Sequence, residues 1–229
     1  MFQRINLSLF HSWLIYTVIL TSACSSLVSA QEGTECPDGP ATMPISYGDL
    51  IICQIEEIGD SDAFSFTGNA SDKIILQVAE VPGFGEPCIE VFSPDNSPLN
   101  SECEINDPRI DLTLGVTGNY TVLISDQNDD ETLSYNLALE RYFPEVDSGT
   151  DICPGCILEN QLAPLGDLDF FKFTGSAGDM IIVKAAEIPG FGEPCMEIFQ
   201  PNGSLLNSQC EINNPRIDFT LGQSGIHAI

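Results

Sequence analysis

The chain has 229 residues, of which 34 are acidic and only 7 basic, giving a formal net charge of −27. So acidic a surface repels phosphate backbones and anionic lipid headgroups, which argues against nucleic-acid and membrane-surface binding. Cations, divalent ones included, are the small partners that such a surface favours.

Residues 1–30 have the pattern of a secretory signal peptide. Arg4 is their only charge, the apolar run Trp13–Leu20 follows, and small residues end the segment at Ala30. The run is shorter than the roughly 20 residues of a membrane span, so we expect cleavage after Ala30 and no span in the mature chain. A lipoprotein attached at Cys24 is the alternative. Either reading predicts a secreted or cell-surface protein.

Removal of this segment takes one of the nine cysteines and leaves eight, an even number that predicts disulfides in an exported chain. It also leaves His227 as the single histidine. A nucleophilic triad needs a histidine in its centre. The single histidine thus argues against a triad. A hydrolase that uses two carboxylates is the alternative, but nothing in the sequence positions such a pair, and we predict a protein that is not an enzyme.

One long stretch of the chain, Ala79–Leu114, occurs twice. The two copies are related by a constant offset, since Gly59 matches Gly166 and 166 − 59 = 107. The repeat predicts two domains, residues 31–146 and residues 147–229. The second copy ends at the equivalent of Val122, so it is predicted to be incomplete, with an exposed apolar face and an unpaired strand edge.

Each copy has short runs that alternate apolar and polar residues between turn residues, the pattern of half-buried β-strands. The inward positions of the first copy are Phe64, Phe66, Ile74, Leu76, Val78, Ile110, Leu112, Leu114, Tyr120, Val122, Ile124, Tyr135, Leu137 and Leu139. Strands that bury one face each are accommodated by two sheets packed face to face. The sequence thus predicts an all-β protein made of tandem β-sandwich domains.

The repeated hairpin predicts two disulfides. A symmetric two-residue turn at Asn202-Gly203 sets Cys195 opposite Cys210, and the first copy has the same spacing between Cys88 and Cys103. A three-residue loop with a bulge is the alternative, and it would shift this pairing by one residue. The remaining cysteines pair most simply as Cys36 with Cys53 and Cys153 with Cys156.

The openings Gly59–Phe66 and Gly166–Phe173 share the pattern G-D-x-D-x-F-x-F, and Thr117–Val122 reads T-G-x-Y-T-V. These motifs resemble the bacterial pre-peptidase C-terminal domain family, in two tandem copies. The resemblance implies a jelly-roll-like β-sandwich that serves secreted proteases and other surface proteins as a non-catalytic accessory module. In some members the module binds calcium or a matrix polymer.

Three groups of side chains are candidate calcium ligands, because hard cations prefer six to eight oxygen ligands. They are the loop residues Asp126, Asn128 and Asp130, and two equivalent pairs, Asp60 with Asp62 and Asp167 with Asp169. The alternatives are a solvated hairpin tip for the loop and turn caps for the pairs. Glu80, Glu86 and Glu90 and their equivalents Glu187, Glu193 and Glu197 are interpreted as outward-facing strand residues, with a second acidic patch as the alternative.

The function predicted from the sequence is that of an exported, non-catalytic module with a structural, adhesive or accessory role, stabilised by calcium. Its partner would be an extracellular-matrix or cell-surface polymer or protein. The alternative is the accessory part of a secreted hydrolase or protease whose catalytic domain lies outside this sequence.

Overall fold

The structure is a computed structural model. It describes residues 2–10, 33–36, 41–81, 85–144, 149–188, 194–211 and 214–229, with the backbone alone for residues 2–10, 187 and 188. Cys24 and Glu193 lie outside the described residues, as does the predicted domain boundary at 146/147.

Every regular element in this described part of the chain is a strand, which confirms the all-β prediction. Among the same residues, no helix has the length and apolar character needed to cross a bilayer. The chain forms two compact units. We call residues 31–148 with 163–168 the first sandwich, and residues 149–162 and 169–229 with residues 2–10 the second sandwich.

The first sandwich contains ten strands: β2 (Thr34–Glu35), β3 (Met43–Pro44), β4 (Asp49–Ile55), β5 (Ser61–Gly68), β6 (Lys73–Val81), β7 (Pro87–Phe92), β8 (Pro98–Cys103), β9 (Arg109–Thr113), β10 (Gly118–Asp126) and β11 (Leu133–Phe143). They form two five-stranded sheets, in the orders β3-β5-β10-β7-β8 and β2-β4-β11-β6-β9. The predicted inward positions lie between the sheets, all of them buried except the partly buried Leu112. This burial confirms the period-two reading of the sequence.

The second sandwich repeats this plan with β1 (Phe2–Phe10), β12 (Thr150–Asp151), β13 (Ile157–Gln161), β14 (Phe171–Gly175), β15 (Met180–Ile188), β16 (Cys195–Phe199), β17 (Leu205–Cys210), β18 (Arg216–Thr220) and β19 (Gly225–Ala228). Its sheets have the orders β12-β14-β19-β16-β17 and β13-β1-β15-β18. The register extends the repeat backwards, because Met43 pairs with Phe64 as Thr150 pairs with Phe171, again 107 residues on.

The expectation of an unpaired edge in the second sandwich is wrong for this structure. Strand β1 pairs with both β13 and β15, in the place that β11 takes between β4 and β6. The registers agree residue by residue, since Ile5 is opposite Ala185 as Leu137 is opposite Val78, and 78 + 107 = 185. Backbone groups of β13 and β15 that would otherwise lack partners are therefore paired.

The cystine hairpins have the predicted pairing but not the predicted turn. Cys88 is opposite Cys103 and Cys195 is opposite Cys210, and both pairs are bonded. The turn itself is a three-residue loop closed by Ser93 and Ser97, with Asn96 at φ 62°. A bulge farther along the hairpin removes the one-residue shift, so the cysteines still face each other.

The other two bridges, Cys36–Cys53 and Cys153–Cys156, form as the sequence predicts. Each of the four disulfides links cysteines within one sandwich. Closing a loop by a disulfide restricts the unfolded chain more than the folded one, so each bridge stabilises its own sandwich.

Strand β11 departs from the one-face prediction, because both of its faces are buried. Tyr135 and Leu137 face the core, yet Asn136 between them is also only 2% exposed. The segment 163–168 covers this outer face: Asn136 Nδ2 donates to the Leu165 carbonyl oxygen at 2.8 Å. The alternation of residue types therefore identifies the face of β11 that packs in the core, but it does not indicate that the segment 163–168 covers the opposite face.

Candidate functional site

The tip of the β10–β11 hairpin contains the loop whose side chains are candidate calcium ligands, with a solvated tip as the alternative. Asp126 is 4% exposed, and its Oδ2 accepts the backbone N–H groups of Asp130 (3.0 Å) and Glu131 (3.3 Å). This arrangement is a side-chain cap on a tight turn. One carboxylate oxygen of Asp126 thus accepts hydrogen bonds from the backbone. The Asp130 side chain, in contrast, is exposed to solvent.

Asn128 in the same loop connects the hairpin tip to the loop that precedes β7. Its Nδ2 donates to Glu86 Oε2 at 3.0 Å, and the neighbouring N–H of Gln127 donates to the Glu86 carbonyl oxygen at 2.9 Å. The amide of Asn128 therefore faces a carboxylate. The three predicted ligands lie in one loop, but two of them have structural partners.

Glu80 was interpreted as an outward-facing strand residue, and that interpretation is wrong. It is 5% exposed at the end of β6, and its Oε1 accepts the N–H of Gly85 at 2.9 Å. Its Oε2 is buried and has no hydrogen-bond partner among the residues that the structure describes. Glu86 is partly buried, and Glu90 is exposed as predicted. The sequence did carry a signal of this burial, because the alternation of Ile74, Leu76 and Val78 places Glu80 on the same inward side of β6.

The equivalent aspartate pairs begin with the same tight turn, which we call the G-D turn: Glu57–Asp60 in one copy and Pro164–Asp167 in the other. The N–H of Asp60 donates to the Glu57 carbonyl oxygen, and the N–H of Asp167 donates to the Pro164 carbonyl oxygen. The glycine before each aspartate has a positive φ, as the third position of a type II turn requires.

Asp60 and Asp62 have different surroundings despite their spacing. Asp60 is exposed, and its Oδ1 accepts the N–H of Ser61. Asp62 is half-buried, and its Oδ2 accepts the hydroxyl of the fully buried Tyr135 at 2.6 Å. Burial raises the pKa of Asp62, and the hydrogen bond from Tyr135 opposes that shift. Asp62 thus ties β5 in one sheet to β11 in the other.

Asp167 is more enclosed than its equivalent, Asp60. It is 9% exposed, and its Oδ2 accepts the N–H of Ala163 at 3.1 Å. Burial raises the pKa of Asp167, while hydrogen bonds from the backbone of Ala163 and Leu168 oppose the shift. Asp169 is partly buried. The turn-cap alternative thus describes what the carboxylate of Asp167 does in this structure.

Sequence reasoning missed a polar network at the start of β6. Asp72 is 2% exposed and accepts the N–H of Asn69 at 2.8 Å and the hydroxyl of Tyr47 at 2.9 Å, and it lies 3.6 Å from the guanidinium of Arg141. In the second copy Asp179 accepts the N–H of Ser176 in the same way. The repeated aspartate four residues after the strand-ending glycine is the only signal in the sequence.

His227 lies in the core of the second sandwich. It stacks on Phe173 at 5.1 Å, as its equivalent Tyr120 stacks on Phe66 at 5.2 Å. The hydroxyl of Tyr120 donates to a backbone carbonyl oxygen, whereas Nε2 of His227 is buried and has no partner within the described part of the chain. Burial lowers the pKa of His227, so the imidazole is held in its neutral form.

These placements assign structural roles to several of the predicted ligands. Across the described stretches of the chain, no three His, Cys, Asp or Glu side chains converge as a metal site would need. Calcium at the exposed carboxylates stays a prediction. The arrangement as described can close turns, join the two sheets and present an acidic surface to solvent.

The sequence matches no protein-family model, and no curated protein matches it. Among solved structures, the pre-peptidase C-terminal domain of a collagenase from Bacillus anthracis is similar to 46% of this chain over 100% of its own length, with 12% identity and a TM-score of 0.39. A periplasmic inhibitor of g-type lysozyme from Aeromonas hydrophila is similar to 46% of this chain over 99% of its own length, with 13% identity and a TM-score of 0.37.

Proposed function

We propose that the protein is an exported, non-catalytic accessory module whose two β-sandwiches bind a cell-surface or extracellular polymer or protein. In this proposal the carboxylates give the surface its charge and hold the loops in place. The disulfides keep the sandwiches folded outside the cell.

The observation that carries the proposal is the structural use of the carboxylates. Asp126 caps the hairpin tip, Asp62 joins the two sheets through Tyr135, and Asp167 closes the second G-D turn. Each of these acids accepts hydrogen bonds from backbone or hydroxyl donors, so each holds a turn or the two sheets in place.

The four disulfides support the same proposal from a different direction. Bridges of this kind persist in oxidising compartments and are rare in the cytosol. The pattern of residues 1–30 is that of an export signal, and eight of the nine cysteines are paired within the rest of the chain. Export and disulfide formation would therefore occur together.

The end of the first sandwich that carries the hairpin tip is the surface on which we place the contact with the polymer. Asp129, Asp130 and Glu131 are exposed there, and Ile105 is 63% exposed in the loop between β8 and β9. An exposed apolar side chain among carboxylates suits a partner that offers cationic or hydroxyl groups beside apolar surface.

The experiment is cosedimentation of the exported protein with insoluble collagen and with peptidoglycan, in millimolar calcium and in chelator. We expect retention on one polymer without release of soluble fragments. Ile105→Ser with Asp130→Asn should reduce retention, whereas Glu102→Gln, an exposed change on edge strand β8, should not. Fragment release would indicate an enzyme, and equal retention of all three proteins would contradict the proposed surface. Retention that depends on calcium would support a calcium role.

A further inference from the structure

One Asp-Pro bond lies in the loop between β8 and β9, and the proposed function does not use it. Asp107 is followed there by Pro108, and no other aspartate in the sequence precedes a proline. The second copy has Asn214 before Pro215 at the equivalent place, 107 residues on. The two copies thus differ at this bond by one side chain, which is a carboxylate in the first copy and an amide in the second.

An aspartate that precedes proline can break its own main-chain bond. Its side-chain carboxylate is close enough to the main-chain carbonyl carbon of the same residue to attack it and form a cyclic anhydride. The proline nitrogen has no hydrogen and is alkylated, so it takes up a proton and leaves more readily than an ordinary amide nitrogen. An asparagine at the same position has no carboxylate with which to attack.

The structure holds the peptide groups on either side of this bond against β6. The carbonyl oxygen of Asn106 accepts the N–H of Glu80 at 2.8 Å. The carbonyl oxygen of Pro108 accepts the N–H of Val78 at 3.0 Å. Asp107 lies between these two anchored groups and is exposed, so water reaches its side chain. Holding the reacting groups in place removes part of the entropic cost of the attack.

The residue before Asp107 has a strained backbone. Asn106 has a φ of 74°, and across it the N–H of Asp107 donates to the carbonyl oxygen of Ile105 at 3.1 Å. A three-residue turn with a positive φ at its central residue is rare and strained. Such strain persists only where the surrounding structure imposes it, here through the two hydrogen bonds to β6. Cleavage after Asp107 would free the turn from one of these anchors.

The charges around Asp107 favour its protonated form. Partial burial raises the pKa of Asp107, and the negative charge of Glu104 raises it further. On the neighbouring strands, the guanidinium of Arg109 is hydrogen-bonded to Asp111, and Glu80 is buried. The departing proline nitrogen needs a proton. A carboxyl group that keeps its proton to a higher pH supplies that proton over a wider pH range.

We propose that the Asp107–Pro108 bond is a self-cleavage site and that the fold of the first sandwich promotes the reaction. A side-chain oxygen of Asp107 bonds to the main-chain carbonyl carbon of the same residue. The carbon–nitrogen bond to Pro108 breaks, and the carboxyl proton goes to the nitrogen. Water then opens the cyclic anhydride and leaves two carboxyl groups on Asp107, so that one water molecule is consumed in all. This cleavage is independent of the proposed binding to a polymer.

The cleaved chain should stay assembled, because strands from both sides of the bond alternate in the same sheets. β10 lies between β5 and β7, and β11 lies between β4 and β6. Each of the four disulfides joins two cysteines on the same side of the bond. The two pieces therefore remain together in native buffer and separate in denaturant without a reductant.

The test is incubation of the full chain at pH values on both sides of the usual aspartate pKa, which is about 3.9. A non-reducing denaturing gel measures the cleavage, and mass spectrometry locates the new ends. Asp107→Asn is the matched control, because it places the residue of the second copy in the first. Glu104→Gln tests the neighbouring charge, and the wild-type chain in urea tests the contribution of the fold.

We expect two pieces, one that ends at Asp107 and one that begins at Pro108, with no cleavage at Asn214 and none in Asp107→Asn. The folded chain should be cleaved about tenfold faster than the chain in urea. The rate should fall as the pH rises through the pKa of Asp107, and Glu104→Gln should move this fall to lower pH. Size-exclusion chromatography should show the two pieces eluting together.

An intact chain after long incubation of the folded protein at acid pH would overturn the proposal, as would equal cleavage of Asp107→Asn. Equal rates in urea and in native buffer would also overturn it, because ordinary acid hydrolysis of an Asp-Pro bond does not depend on the fold. Rates are compared at the lowest pH at which circular dichroism shows the protein to be folded. Loss of binding to a polymer would leave these outcomes unchanged.

Discussion

The two G-D turns provide a matched pair of substitutions in one folding unit, because both belong to the first sandwich. Gly59 and Gly166 have nearly the same backbone, with φ of +79° and +82°. Their surroundings differ. A Cβ at Gly59 would meet nothing within 4 Å, whereas a Cβ at Gly166 would lie 2.6 Å from Cβ of Ala79.

We predict that Gly166→Ala destabilises the first sandwich more than Gly59→Ala. Both changes place a side chain in the left-handed region, which costs about 1 kcal/mol. At Gly166 the new methyl group would also be about 0.8 Å closer to Ala79 than the 3.4 Å of an ordinary contact. Overpacking of that kind costs about 1–3 kcal/mol. The two variants should thus differ by about 1–3 kcal/mol in the free energy of unfolding.

The assay is urea unfolding followed by far-ultraviolet circular dichroism, with hydrogen exchange to assign the transition to the first sandwich. Ala79→Gly removes the clashing methyl group, so it should reduce the additional cost of Gly166→Ala when the two are combined. Equal costs for Gly59→Ala and Gly166→Ala, or no coupling with Ala79→Gly, would refute the reasoning. That result would mean that the second G-D turn does not pack on β6.

Three further predictions concern single contacts. Replacing Cys88 and Cys103 together by alanine opens a loop with a sequence separation of 15, which should cost the first sandwich about 3 kcal/mol in urea unfolding; a loss below about 1 kcal/mol would contradict the role of this bridge. Tyr135→Phe removes the donor to the half-buried Asp62 and should cost about 1.5 kcal/mol, with the exposed Asp60→Asn as the unchanged control. Burial lowers the pKa of His227 in the folded state, so the unfolded chain takes up a proton at a higher pH than the folded chain does. The stability of the second sandwich should therefore fall as the pH drops below about 6.5, the usual pKa of histidine. His227→Phe should remove that part of the pH dependence, and an unchanged profile would contradict the burial of the ring.

The sequence predicts the sheets well because alternation is a local signal. Phe64, Phe66, Tyr120 and Val122 alternate with polar residues, and a strand that alternates in this way has one choice of core face. The cystine hairpin was also predictable from spacing, even though its turn has three residues. The bulge compensates for the third residue of the loop, so the predicted cysteine pairing is correct although the predicted turn is not.

The contacts that sequence reasoning missed are between segments distant in the chain. Nothing near Asn136 or Ala79 indicates that the turn at Gly166 packs on them, because the outer face of β11 has no distinctive pattern. The error at Glu80 is of a different kind, because its contact with the N–H of Gly85 is local and the period-two alternation of β6 already places Glu80 on the inward side. Residues 2–10 were predicted to belong to a signal peptide. Their pairing with β15 joins two distant segments of the chain, and the local sequence does not indicate it.

The central claim is that two copies of one β-sandwich, each with its own cystine hairpin, form an exported module. Disulfide mapping of the protein recovered from outside the cytoplasm tests it most directly, by mass spectrometry of unreduced peptides cut at acidic residues. The account predicts an N-terminus at Gln31 and the bridges Cys36–Cys53, Cys88–Cys103, Cys153–Cys156 and Cys195–Cys210. A bridge between the two copies, or free thiols at the hairpin cysteines, would contradict it.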